Sequence, residues 1–299
     1  MFIRYTQKTW FGFIFNPYHL TGMILGTSMM GLLTAGVTYL HIHWGAVDIR
    51  LPYFFHTVLG IVVGTLLVFR TNTAYDRWWE GRKQLGDMVT LSRVLASRFD
   101  HYLPEGLSDQ RRIIRRLIPA YAWSLRQWLR DGDFRNNLRY LPDEFADQFM
   151  NAINKPMFIL EQLTAIIADH ARNETIPTPG PLVLENQILQ LAHVQGACER
   201  IRTSPIPLSY TLHLKRILLV YLLTLPFGFV SDLAWYSVPA SMLVFFTLVG
   251  IEAIGEEIEE PFGTDLNDLP FDNILEDIER DVNELLDEKG EKRIMHSVY

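Results

Sequence analysis

The sequence predicts an all-α membrane protein with four transmembrane helices per subunit and a large helical region outside the bilayer. Three observations predict it. Four segments approach the ~20 residues that a helix needs to cross a bilayer: Leu20–Leu40, Leu51–Phe69, Ile217–Tyr236 and Val238–Gly255. They form two tight pairs, which a soluble helical core rarely offers. Between the pairs, apolar residues recur at helical spacing, and nothing alternates long enough to suggest a strand.

The first span is rich in Gly, Met and Thr, the third carries Pro226 and Gly228, and the fourth opens near Pro239. Membrane helices tolerate Gly and Pro better than soluble ones do. The connection "SDLAWYS" (231–237) has no Lys or Arg, and its Trp235 and Tyr236 suit a bilayer interface. Residues 70–216 are rich in arginine, including "RRIIRR" at 111–116, and the N-terminal segment carries Arg4 and Lys8. An excess of basic residues marks the cytoplasmic side. The expectation is therefore a multi-pass protein of the cell inner membrane, with both termini and the insert in the cytoplasm. The N-terminus lacks the basic, apolar and small-residue order of a cleaved signal peptide.

Within the insert, Ile113, Ile114, Leu117, Ile118 and Tyr121 share one helix face, as do Phe158, Ile159, Leu163 and Ile166. "ETIPTPGPL" (174–182) is a breaker. Beyond Phe271, Ile274, Ile278, Val282 and Leu285 stripe an acidic amphipathic helix that should end near Gly290. Four parts follow: 1–70 with the first two spans, a cytosolic helical region 71–215, the last two spans 216–255, and an acidic cytosolic segment 256–299.

Composition narrows the function. The 299 residues carry a net charge of −7 and no basic face, so nucleic acid is not the expected partner. The single cysteine, Cys198, excludes an intrachain disulfide and a multi-cysteine zinc site. No phosphate loop, zinc-protease motif or nucleophile elbow occurs, so no catalytic residue and no cofactor is expected. "HIH" (41–43) sits in a short outer loop with only Asp48 as a nearby carboxylate. Asp169 and His170 are adjacent, and adjacent helical residues do not face one another. His56 reads as an interfacial residue. Proton-coupled transporters usually carry intramembrane carboxylates, but Glu252 lies only near the inner end of the fourth span.

The second span does carry a stripe. Ile61, Thr65 and Phe69 fall four residues apart on one face, and Gly60 and Gly64 on an adjoining face offer close helix contact. Such a stripe fits lipid contact or a bundle core. Repeated around an axis, it would instead form rings that gate a pore by dewetting.

The continuation, "FRTNTAYDRWWEGRKQLG" from Phe69, resembles the inner end of the second transmembrane helix in bestrophin-family ion channels. "RIRTSPIPLSYTLHLKR" (200–216) resembles the family's lead-in to the third span, and "EEIEEPFGTDLNDLP" (256–270) the segment after the fourth. With the order of spans, these motifs cover most of the chain, in the form of the bacterial branch. The resemblance implies a homopentamer with one pore on its fivefold axis and an apolar neck on the second helix. The neck positions are Ile61, Thr65 and Phe69. Thr65 departs from the family's bulky apolar pattern, and its hydroxyl is expected to make the neck wetter. Arg70, Asp76, Arg77, Trp78, Trp79 and Glu80 are expected to serve packing and assembly. A second constriction at the cytosolic exit maps to Leu182. Animal members bind calcium at an acidic cluster after "PFG", which here would involve Asp265 and Asp268; Glu257 and Glu260, which could also bind an ion, stand where neutral amides are typical. Leu266 and Asn267 interrupt the acidic run, so a solvated acidic loop is the expectation.

The expected partners are further copies of the chain, the lipid bilayer and permeating monovalent ions. Characterised bacterial relatives favour cations and animal ones anions. Five acidic tails would lower the potential at the inner mouth and favour Na⁺ and K⁺. An anion channel of the same architecture stays open as an alternative, as does a membrane scaffold or an unrecognised membrane enzyme.

Overall fold

The computed structural model describes residues 17–44, 53–104, 106–265 and 267–286. Arg4, Lys8, Asp48, Leu266 and Gly290, which enter the sequence expectations, lie outside them. The described residues fold into helices and short 3₁₀ turns, with no strand among them. The helices are α1 (Pro17–Trp44), α2 (Tyr53–Tyr102), α3 (Ser108–Leu129), α4 (Ala146–Asn151), α5 (Lys155–Arg172), α6 (Gly180–Thr203), α7 (Leu208–Leu233), α8 (Ser237–Ile258) and α9 (Phe271–Leu285). Three stretches are long and apolar enough to cross a membrane: Gly22–Trp44, Phe54–Tyr102 and Leu208–Ile258. The last is two helices, α7 and α8, broken by a 3₁₀ turn at Ala234–Tyr236. Ala234 makes that break with a positive φ of 44°, a strained conformation for a residue with a Cβ. The expected four spans are α1, the first part of α2, α7 and α8.

The chain divides into two compact units. One comprises the described part of Met1–Tyr75 with Ile206–Glu259; the other is Asp76–Pro205 with the described part of Glu260–Tyr299. In the first unit, α1 packs on α7 and α8, and α7 packs on α8. Small residues permit the approach. A Cβ on Gly31 would fall 2.8 Å from the Met242 sulfur. Two knobs and notches join the membrane part of α2 to α7. The His56 ring fills a notch at Gly228, where a Cβ would fall 2.9 Å from Nδ1, and the Tyr221 hydroxyl fills one at Gly60, at 3.0 Å. Gly64 has nothing within 4 Å of its would-be Cβ, so only Gly60 supplies the close approach expected of the pair.

The second unit has a conventional core. α3 packs on α5, α6 and α9, and α5 packs on α6. Ile114, Leu117, Ile118 and Tyr121 of α3 are fully buried, and the Tyr121 hydroxyl donates to the Leu191 carbonyl at 2.8 Å. Burial pushes that phenol well above its ordinary pKa. On α9 the buried stripe is Phe271, Leu275, Ile278 and Val282. Ile274 is half-buried and Leu285 is exposed, so the face is turned by about one residue from the expected one. Both registers share Ile278 and Val282, and contact with the core selects between them. α6 starts at Gly180, inside the expected breaker, because Pro181 is at home in a first helical turn that needs no N–H partner there.

Candidate functional site

α2 is one unbroken helix of 50 residues. Its buried face includes Val63, Leu67 and Ala74. Its exposed positions include Phe54, Val58, Ile61, Thr65, Phe69 and Asn72, at the three- and four-residue spacing of one face. Ile61 and Phe69 keep 64% and 62% of their surface exposed. The three stripe residues from the sequence therefore look away from the other described residues. Thr65 makes a hydrogen bond within its own helix. Its hydroxyl donates to the Ile61 carbonyl at 2.8 Å, the back-bond that a helical threonine makes where no better acceptor is near. Its proton is committed, so the residue offers water only the oxygen lone pairs.

Arg70, next along, is 1% exposed. Its guanidinium donates to Glu252 and lies 3.5 Å from Glu259. Lys215 adds a second cation, 3.5 Å from Glu252 and 2.9 Å from Glu256. Glu259 also accepts from the Ile206 amide at 3.1 Å. Buried charges survive in a low-dielectric place only when paired, and this cluster pairs them within one subunit. Glu252, with no role assigned from sequence, is its centre.

Within the second unit the three sequence motifs meet at one stretch of α2. Arg77 donates to the Ser204 carbonyl and, at 2.7 Å, to the Ile201 carbonyl. It thereby satisfies free carbonyls at the α6 C-terminus, where a cation is also favoured by the helix dipole. Trp78 is half-buried and donates from Nε1 to the Asn267 carbonyl at 2.9 Å. Gly81 is the seat of the "PFG" loop: a Cβ there would press on Pro261, Leu269 and Phe262 at 3.2–3.3 Å. Trp79, pointing elsewhere, remains 49% exposed. Glu80 pairs with Lys83 at 2.5 Å and accepts from Gln84 at 2.9 Å, both on its own helix. The Lys83 hydrogen bond is the main reason its carboxyl sits below the ordinary range. Asp76 is exposed.

Leu182 lies in the first turn of α6, 65% exposed. Of the acidic set, Glu257 belongs to the first unit and Glu260, Asp265 and Asp268 to the second. The loop is closed on itself. Asp268 Oδ2 accepts from the Asp265 amide at 2.5 Å, and the Asp268 and Gly263 amides donate to the carbonyls of Asp265 and Glu260. Gly263 leaves room for this carboxylate, since a Cβ would fall 2.5 Å from Asp268 Oδ2. Among the described residues no group of three or more His, Cys, Asp or Glu side chains is placed to hold a metal ion. Calcium prefers six to eight oxygens, and this loop does not fit it.

Sequence reasoning gave His56 no partner. It lies in the first turn of α2, 3% exposed, with Nε2 3.0 Å from the Thr224 carbonyl. Its spacing of four from Gly60, opposite a Gly-containing span, was the available signal. Cys198 is buried, and burial pushes its thiol up to about 12, which makes it inert.

Comparison with known proteins accords with this geometry. A voltage-dependent anion channel-forming protein of Nostoc is 35% identical over 290 residues, covering 93% of this chain and 92% of that protein. One from Escherichia coli K12 is 32% identical over 254 residues, covering 81% and 83%. The crystal structure of a bacterial bestrophin homologue from Klebsiella pneumoniae superposes with a TM-score of 0.84 at 28% identity, covering 88% of this chain and 98% of that one. Residues 11–284 match the family model described as bacterial/fungal bestrophin protein. The chain belongs to the bacterial and fungal bestrophin family.

Proposed function

We propose that this chain is one subunit of a homopentameric channel in the bacterial inner membrane, with both termini cytoplasmic, that conducts monovalent ions and prefers Na⁺ and K⁺ to Cl⁻. The observation that carries the reading is the exposed stripe on α2. The Ile61, Thr65 and Phe69 side chains stay exposed among the described residues, while Val63, Leu67 and Ala74 on the other side of the helix are buried. Five copies around an axis turn the stripe into three stacked rings. Two of them offer water no hydrogen bond, so the passage dries and reopens with small changes in width. Leu182, exposed at the start of α6, supplies a second constriction at the cytosolic exit. The acidic balance of the chain, −7 per subunit, favours cations at the inner mouth.

The names of the curated relatives favour a second reading, in which the same architecture passes anions. Reversal potentials of the purified protein in planar bilayers under a salt gradient separate the two, and a value at the chloride equilibrium potential overturns the cation preference. In the same recordings Phe69→Ala should raise single-channel current. Thr65→Ile should change it less, because the threonine proton is already engaged. Current unaltered by alanine at Ile61, Thr65 and Phe69 together would show that α2 does not form the neck.

A further inference from the structure

The face of α2 that carries Ile61, Thr65 and Phe69 does not end at Phe69. At about 100° per residue, those three span an arc of about 80°, and Asp76 falls about 60° round from Ile61, inside it. Asn72 falls in the same arc, and both are exposed. Asp76 stands about 10 Å along the helix axis from Phe69, on the side away from the membrane span.

The neighbouring charges are engaged elsewhere. Arg70 is turned onto Glu252 and Glu259, and Arg77 onto backbone carbonyls of α6. Lys83, the next charge in the same arc, is offset by Glu80 at 2.5 Å. Among the described residues no group bonds to the Asp76 carboxylate. A bare aspartate is thus left on the helix face that carries Ile61, Thr65 and Phe69.

We infer that the Asp76 carboxylates form an acidic ring in the permeation path just below the neck, and that this ring selects monovalent cations. The inference rests on the proposed reading of α2 as the pore-lining helix. Five carboxylates around one axis repel each other and are relieved by mobile cations. Rings of Asp or Glu do this in cation channels. Placed on the axis, the ring acts at shorter range than the acidic tail, within about one Debye length (~8–10 Å) of every ion that passes.

The test is Asp76→Asn in the full-length channel, recorded in planar bilayers beside wild type, Asp76→Glu and Phe69→Ala. Neutralisation should lower the Na⁺/Cl⁻ permeability ratio and the low-salt conductance by at least about twofold, with the conductance loss fading near ~1 M salt, where screening is strongest. Asp76→Glu should keep both. A cysteine variant, Asp76→Cys, adds a direct probe of position, because Cys198 is buried and silent to polar thiol reagents. A cationic methanethiosulfonate applied from the cytoplasmic side should suppress its cation current, and an anionic one should restore it. Unchanged permeability ratio and low-salt conductance in Asp76→Asn, with Phe69→Ala still altering current, overturns the ring and leaves the neck standing. If neither substitution has an effect, both fall. A wild-type chloride reversal potential removes the ring's role along with the cation preference. Loss of the wild-type oligomeric mass in Asp76→Asn would assign the carboxylate to a subunit contact instead, and also overturns the ring.

Discussion

The two units use the same apolar residue types in opposite ways. In the Asp76–Pro205 unit, a large continuous core from α3, α5, α6, α9 and the end of α2 is fully sheltered. In the other unit the core is small, centred on Val63, Leu67, Leu218 and Leu225. There Leu25, Leu32, Phe54, Ile61, Phe69 and Leu243 stay largely exposed. A water-facing protein would not leave so much apolar surface bare. The first unit leaves its apolar surface to the membrane, and the second buries its own within itself. Polar groups follow the same division. In the apolar unit, Arg70 and Glu252 pair with each other, and Thr38 bonds Ser237 at 2.9 Å, because a bilayer offers no water to do it.

The difference is sharpest between two phenylalanines. Phe271 is fully buried and Phe69 is 62% exposed. Phe271→Ala should destabilise its unit by about 3–5 kcal/mol through the cavity it leaves, whereas Phe69→Ala should stay within about 0.5 kcal/mol. Thermal unfolding of the detergent-solubilised protein reads both, and equal losses would remove the distinction between the units.

A smaller effect tests the polar side of the comparison. Glu252→Gln takes one carboxylate from Arg70 but leaves Glu259 at 3.5 Å. The cost should be about 1–3 kcal/mol, with Arg70→Met costing more because it strands two carboxylates. Denaturation midpoints of the two variants would show the order. The reverse order would mean that Glu252 is held chiefly by Lys215, 3.5 Å away, and not by Arg70.

The smallest effect belongs to His170 in the other unit, buried with Nε2 unpartnered. Burial lowers its pKa, against a weaker opposing pull from Asp169. The folded state therefore favours the neutral ring while the unfolded chain takes up a proton near pH 6.5. Stability from this group is present above that pH and is lost as pH falls below it, by at most about 1.4 kcal/mol per pH unit. His170→Leu should flatten that part of the stability–pH curve. An unchanged slope would place the acid sensitivity elsewhere.

Much of the fold was legible because membrane spans and amphipathic stripes announce themselves in hydropathy and period. α1, α7, α8 and the buried face of α3 follow from those signals, and so does the exposed stripe on α2, since three residues at spacing four must share a face. Partners distant in sequence were not legible. Nothing in "FRTNTAYDRWWEGR" says that Arg70 meets Glu252 or that Arg77 meets the end of α6. Nor does it say that Gly81 seats Pro261 and Phe262. Those pairings depend on tertiary packing, which local periodicity does not encode. The register of α9 escaped for a related reason, since adjacent apolar residues give two stripes and only the core chooses.

Between Gly64 and Gly81, α2 contains neither glycine nor proline. Sharp helix kinks almost always need such a residue, a π-bulge or an inserted group. Within the first unit, the part of this stretch from Thr65 to Tyr75 therefore has no hinge of its own. Arg70, held on Glu252 and Glu259, thereby fixes the direction in which its neighbour Phe69 points.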